Sequence, residues 1–239
     1  ARSARLSARI DGMARAKDGL ALAENTLASA AEAMTAAHAI AVAMAGDDMG
    51  ADDRAIAAQQ VGMLRDQLVG LANTSGPEGF LFGGTRTNAA PFDASGAFVG
   101  NDDAIAIELA DGVSITGNAS GARAFQGAGG GRDVFADLSA LQTALAGNDR
   151  VGVRSLLDVI EVGRSQITAE RAKTGLATER LVSASETSDR ARATLKTAKA
   201  GLVELDTPSA YSTLIDAHSS YERALAVAKK ILSLPLPQY

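Results

Sequence analysis

Cysteine is absent from the 239 residues, which excludes disulfides, thiolate metal sites and a cysteine nucleophile while leaving the compartment open. Tryptophan is absent too, and aromatic residues make up only 4%. The large-residue core of a globular enzyme is thus thinly supplied. Alanine fills much of the 46% hydrophobic fraction and favours close helix packing instead. No Lys/Arg-rich block occurs, and the net charge is −5, which argues against a nucleic-acid footprint or an anionic-membrane surface. No uninterrupted apolar run reaches the roughly 18 residues of a spanning helix, and no signal-peptide pattern opens the chain.

Histidine is scarce: His38 and His218 lie far apart, each inside a helical pattern, without HExxH or any other ligand spacing. Both read as structural. The acidic group Asp47, Asp48, Asp52 and Asp53 does not match a twelve-residue calcium loop, and capping with solvation explains it. Gly129-Gly130-Gly131-Arg132 lacks the Lys-Ser/Thr of a phosphate loop and reads as a hinge. Serines abound without a GxSxG elbow. No catalytic residue, cofactor site or metal site emerges from these patterns.

What is present is a heptad seam. From Val151 to Leu205, Ile160, Ile167, Thr174, Leu181, Ser188, Leu195 and Leu202 recur every seventh residue, and Gly163, Glu170, Ala177, Ala184, Ala191, Ala198 and Leu205 follow three later. Offsets of three and four share one helix side, and the strict repeat predicts a left-handed supercoil with partner helices over roughly 80 Å. The N-terminal stretch carries the complement: Leu6, Met13, Leu20, Leu27, Met34 and Ala41 at sevens, with Ala16, Ala23, Ala30, Ala37 and Met44 three further on. Small alanine rows let two axes approach closely, so these segments are expected to pair.

A break at Gly46-Asp47-Asp48-Met49-Gly50 precedes a second helix, capped by Asp52 or Asp53 and running to about Ala72 with Ile56, Met63 or Leu64, Leu68 and Leu71 expected inside. Asn73 to Gly131 is rich in glycine and holds most of the phenylalanines, the texture of short strands and turns. Ile105, Ile107 and Leu109 alternate before Ala110-Asp111-Gly112, and Val113 and Ile115 after it. A three-residue loop with Gly112 left-handed is expected, pairing Leu109 with Val113 and Ile107 with Ile115. Helix returns over Asp133 to Ala146, with Val134, Leu138, Leu141 and Leu145 on one side and Gly147 as the stop. Asp206-Thr207-Pro208 reads as a break and restart. The last helix has three adjacent apolar rows: Ala210, Ala217, Ala224 and Ile231; Leu214, Tyr221 and Ala228; Tyr211, His218, Leu225 and Leu232. Such a wide face is expected to bury itself among several neighbours, other subunits included.

The fold class expected is mainly α with a small β insertion, an elongated antiparallel bundle or coiled-coil rod with an outer β-rich domain. Residues 1–75 would form the N-terminal hairpin and 76–131 the Gly-rich insertion. Residues 132–205 would supply the return and long central helices, and 206–239 the C-terminal helix and tail.

The order Leu64-Arg65-Asp66-Gln67-Leu68, Leu71-Ala72-Asn73-Thr74, Gly79-Phe80-Leu81-Phe82-Gly83-Gly84-Thr85, Pro91-Phe92 and Phe98-Val99-Gly100-Asn101-Asp102 resembles the flagellin superfamily, in its hook-filament junction branch. The resemblance continues through Leu205-Asp206, Ala210-Tyr211, Tyr221, Leu225, Lys230 and Ile231-Leu232-Ser233-Leu234. It implies a non-enzymatic structural adaptor of the bacterial flagellum, exported by the flagellar secretion system and placed outside the cell between hook and filament. The partners implied are the neighbouring hook-associated protein, flagellin, a cytoplasmic export chaperone and copies of itself in a ring. Nucleic acid and membrane insertion are not expected.

Assembly is expected to use Tyr211, Leu214, Tyr221, Leu225, Ile231 and Leu232. Phe80, Phe82 and Phe92, with Asn73, Gly83, Gly84 and Pro91, are expected in the outer-domain core and motif. Two departures from the family pattern stand out: a further first helix is missing, so the chain is expected to begin in mid-rod, and the tail reads Leu-Ser-Leu-Pro-Leu-Pro-Gln-Tyr. Two rival readings are a filament flagellin, against which the tail lacks Gln-Ala-Asn, and a ligand-binding or catalytic insertion using Asp102, Asp103 and Glu108.

Overall fold

In the computed structural model, residues 2–232 are described, without the side chains of 2, 3, 202–210, 228, 231 and 232. The chain is mainly α, with two small antiparallel sheets, and divides into two compact units, Ala1–Ser188 and Asp189–Tyr239. In chain order the elements are helix α1 (Arg2–Met44), helix α2 (Ala51–Ala72), strands β1 (Ser75–Gly76) and β2 (Gly79–Phe80), strands β3 (Ala106–Ala110) and β4 (Val113–Thr116), and helices α3 (Gly121–Phe125), α4 (Val134–Ala146) and α5 (Arg150–Leu232).

The first unit is built on the predicted pair of seams. Met13, Ala16, Leu20, Ala23, Leu27, Ala30, Met34, Ala37 and Ala41 of α1 are all buried, in unbroken steps of three and four. On α5 the matching row of Val153, Ile160, Ile167, Thr174, Leu181 and Ser188 is buried as well. Methyl groups of Met34 and Val134 lie 3.2 and 3.3 Å from where a Cβ on Gly163 would sit, so the seam closes there without a side chain. Arg171 of α5 reaches Glu24 of α1 at 3.7 Å.

Four expectations change. Helix α2 buries Ala57, Ala58, Val61, Leu68 and Ala72, while Ile56 and Met63 are 57% and 66% exposed. Its narrow alanine face suits close contact with α1 and α4, and the larger residues turn outward. Asp53 accepts from the Gly50 N–H at 3.2 Å, so the acidic residue acts three positions after the cap rather than as the cap. In the hairpin, Ile107 pairs with Ile115 as expected, but Val113 pairs with Ala110 and not with Leu109. A two-residue Asp111-Gly112 turn, Gly112 at φ +77, is followed by an irregularity between Glu108 and Ala110 that restores the apolar face. The expected break at Asp206-Thr207-Pro208 is also not there, because α5 continues through it. Proline removes one intrahelical donor, and a helix of this length retains the bonds on either side.

Finally, α1 is long and apolar enough to cross a membrane by averaged composition, with a window of mean hydropathy 1.4. The sequence criterion of an uninterrupted run missed this because single charges such as Glu24 and Glu32 divide the stretch. A core helix that buries its heptad row passes the same compositional test.

Between α2 and α4 the chain folds over the bundle as a compact cap. Phe82, Phe92, Phe125 and Phe135 are buried together, with Phe125 5.5 Å from Phe82, 5.6 Å from Phe92 and 5.8 Å from Phe135 between ring centroids. Phe125 meets Phe82 and Phe92 edge-to-face and stacks on Phe135, and aromatic pairs of these kinds add about 0.5–1.5 kcal/mol each beyond burial. Gln166 of α5 holds the glycine-rich exit of the cap: its amide donates to the carbonyls of Ala124 and Arg132 at 3.0 Å, and its oxygen accepts from the Arg132 N–H at 2.8 Å.

Candidate assembly surface

The α5 seam changes character after Ser188. Up to that residue one row is buried in the bundle; beyond it Ala191, Leu195 and Ala198 keep the seven-residue spacing but are exposed. Farther along, Tyr211, Leu214, Tyr221 and Leu225 are 67, 66, 65 and 44% exposed. Four large apolar side chains on one helical face, joined by exposed Ile215, make a surface that water solvates poorly. The side chains of Ile231 and Leu232, expected in the same set, lie outside the described residues. His218 Nδ1 is 3.8 Å from Glu222 on this helix, an exposed pairing typical of a solvated flank.

The motif residues cluster in the cap of the first unit. The Asn73 amide donates to the Phe92 carbonyl and accepts from the Phe92 N–H, both at 2.9 Å, fastening the end of α2 to the Pro91-Phe92 turn. Pro91, Phe82 and Phe92 are buried, and Phe80 is half-buried in β2. Gly83 has no room for a Cβ, which would lie 2.6 Å from the Arg86 carbonyl oxygen. Gly84 has φ +67, and a Cβ there would collide with the Asn101 carbonyl oxygen. Gly83 and Pro91 shape backbone against backbone, while Phe80 and Gly84 border a pocket of about 430 Å³ together with Arg15, Glu78 and Thr85.

The acids once considered for ligand binding are engaged elsewhere. Asp102 accepts from the Ser120 hydroxyl and from Arg123 at 3.2 Å, and Asp103 accepts from the Asn101 amide at 2.6 Å. Glu108 pairs with Arg9 at 2.8 Å on the far side of the hairpin. Asp47 accepts from Arg150 and Arg154 at 2.9 and 2.8 Å, tying the α1–α2 turn to the start of α5. Among the described residues no group of three or more His, Asp or Glu side chains is placed to hold a metal ion.

Sequence reasoning overlooked Arg54, which is 2% exposed at the start of α2. Its guanidinium donates to the carbonyls of Met44, Gly46 and Met49 at 2.9, 2.6 and 3.0 Å and to Asn148 Oδ1 at 2.6 Å. A lone arginine beside an acidic turn carries no periodicity signal; only the closure of the turn reveals its role.

No family model matches the sequence, and no curated protein does. Solved structures do match in fold. A Vibrio parahaemolyticus structure described as that of a flagellar hook-associated protein superposes with a TM-score of 0.73 at 22% identity, over 82% of this chain and 91% of the other. Bacillus cereus FlgL gives 0.66 at 20% identity over 82 and 93%. Flagellar hook associated protein-3 from Legionella pneumophila gives 0.71 at 13% identity over 83 and 97%. The chain therefore shares their fold across nearly their full length.

Proposed function

We propose that this chain is a structural adaptor of the bacterial flagellum, joining hook to filament by packing its helices against neighbouring subunits. The observation that carries the reading is the fold likeness to flagellar hook-associated proteins over more than nine-tenths of their length. The mechanism is mechanical. The cap and the α1–α5 seam make a stiff first unit, and the exposed row Tyr211, Leu214, Tyr221 and Leu225 provides apolar area for neighbours to cover. Burying such side chains supplies about 25 cal/mol per Å² removed from water. Ile231 and Leu232 belong to the same set in this reading by their sequence spacing. The neighbours in this reading are an adjoining hook-associated protein, flagellin and further copies arranged in a ring. A cytoplasmic chaperone covers the apolar row before export through the flagellar secretion system, and the absence of cysteine suits passage of an unfolded chain.

The test is complementation in cells lacking the gene. Cells without the protein should build hooks yet release flagellin into the medium, the intact protein should restore attached filaments, and a Tyr221→Asp, Leu225→Asp double variant should fail to do so at equal abundance. Filaments that remain attached without the protein would overturn the junction role, and abundant labelling along the whole filament would favour a bulk filament subunit. A fully active double variant would instead move assembly away from this row.

A further inference from the structure

The β3–β4 hairpin leaves one strand edge open beside a positively charged trough, and we infer that this edge binds an extended acidic segment of another protein by strand addition. The inference is independent of the flagellar reading. The Gly117 N–H donates to the Ile105 carbonyl at 2.8 Å, and Ile107 faces Ile115. Residues 105 and 117, then 107 and 115, are therefore the hydrogen-bonded pairs of the ladder, and the alternate residues turn their backbone groups away from the partner strand. On β4 those are Ser114 and Thr116, whose N–H and C=O groups point outward. They present two donors and two acceptors at the spacing of a strand.

The two edges of the hairpin are treated differently. Beside β3, Arg9 of α1 pairs with Glu108 and Asp111 and places charge along the edge. Strand edges are commonly protected in this way. β4 reads Val-Ser-Ile-Thr, without lysine, proline or any charge. Its edge borders a trough of about 550 Å³ whose lining includes Ser114 and Thr116 on one side and Lys173, Leu176 and Arg180 of α5 on the other. Leu176 is 56% exposed and offers an apolar lip.

Charge selects the occupant. The trough is lined by three cations, Arg123, Lys173 and Arg180, against one carboxylate, Glu170. Glu170 is already engaged, accepting from the Ser120 N–H at 3.1 Å and from Lys173 at 3.3 Å. Arg123 pairs with Asp102 at 3.2 Å and remains half exposed. At physiological salt the screening length is about 8 Å, and with Arg123 paired to Asp102 and Lys173 to Glu170 the local excess at the trough is one positive charge, that of Arg180. An incoming strand gains main-chain hydrogen bonds from β4, and the alternate side chains it turns toward α5 are acidic, meeting the cations that flank Leu176.

The experiment uses the full chain, isotope-labelled for amide exchange, with a capped Glu-Val-Glu-Val-Glu-Val peptide as probe. Binding should slow exchange at the Ser114 and Thr116 amides at least tenfold, and doubling the salt should weaken it severalfold. A peptide N-methylated at alternate residues, or one with lysine for glutamate, should bind at least tenfold more weakly. Ser114→Pro removes an outward N–H without touching the β3–β4 ladder and should lower affinity at least tenfold, and Arg180→Glu severalfold. The inference is overturned if millimolar peptide leaves those amides unchanged, if the lysine peptide binds equally well, or if N-methylation has no effect. The last arm needs no variant of the protein and so stands even if Ser114→Pro does not fold.

Discussion

Replacing Arg54 by alanine removes one buried cation and four hydrogen bonds at the point where α1 ends, α2 begins and the α4–α5 turn arrives. Three of the acceptors are carbonyls of the α1–α2 connection, at Met44, Gly46 and Met49. None of the four hydrogen bonds goes to a carboxylate; the carbonyl dipoles, with that of Met44 at the end of α1, offset the charge. Hydrogen bonds to a charged group contribute about 1.5–3 kcal/mol each, and unmade buried ones leave desolvated carbonyls behind. Part of that loss is recovered because the guanidinium no longer has to be desolvated and water enters the turn. Truncating one partner of a buried charged network therefore destabilises by about 3–5 kcal/mol.

With a urea m-value of about 2–3 kcal/mol/M, the unfolding midpoint should fall by about 1–2.5 M. Arg54→Lys keeps the charge but loses the planar fork, and should recover about half of the difference. Arg86→Ala, on the exposed face of the cap, serves as control and should change stability by about 0.5 kcal/mol or less. If Arg54→Ala unfolds within that same margin, the carbonyls are not held by the guanidinium and the reasoning fails.

Phe125→Ala should cost about 3–5 kcal/mol, because it empties the position where three other phenylalanines meet, and loss of protection in cap amides by hydrogen exchange would report it. Gly84→Ala and Gly129→Ala should separate strain from collision in thermal unfolding. Both have positive φ, but only Gly84 has backbone within 4 Å of the added carbon. Gly129→Ala should lose about 1 kcal/mol and Gly84→Ala clearly more. Glu161 titrates below its ordinary value because Arg164 hydrogen-bonds its carboxylate, with burial opposing and the charges of Arg164 and His38 assisting. A carboxylate held low in the folded state stabilises above its unfolded pKa and loses that contribution as pH falls through the lower folded value. Carboxyl NMR should show Arg164→Ala raising the Glu161 midpoint, and an unchanged midpoint would refute the assignment.

The seam was legible because it repeats. Leu20, Leu27 and Met34 on α1, and Ile160 and Ile167 on α5, announce themselves at sevens, and all are buried. The hairpin was half legible. Alternation gave the Ile107–Ile115 pair, but nothing local distinguishes a three-residue loop from a two-residue turn with a compensating irregularity, because both keep one apolar face. The buried face of α2 was misread by size: Ile56 and Met63 outrank Ala57 and Ala58 in hydrophobicity, yet only small residues fit the close approach to α1 and α4. Arg54 and Gln166 act through backbone carbonyls distant in sequence, so their roles depend on a tertiary arrangement no spacing rule encodes. Of the proposed assembly row, periodicity gave the members, and the structure adds that Tyr211, Leu214, Tyr221 and Leu225 are exposed.

The alanine rows along α1 have a thermodynamic consequence. The heat capacity rises on unfolding in proportion to the apolar area newly hydrated, by about 0.45 cal/K/mol per Å². A seam closed by Ala16, Ala23, Ala30 and Ala37, and by a glycine at position 163, hydrates less such area per residue than one closed by leucine. The first unit should therefore have a shallower free-energy curve against temperature than a domain of equal length with an aliphatic core. Its folded population would change little between a cold and a warm environment.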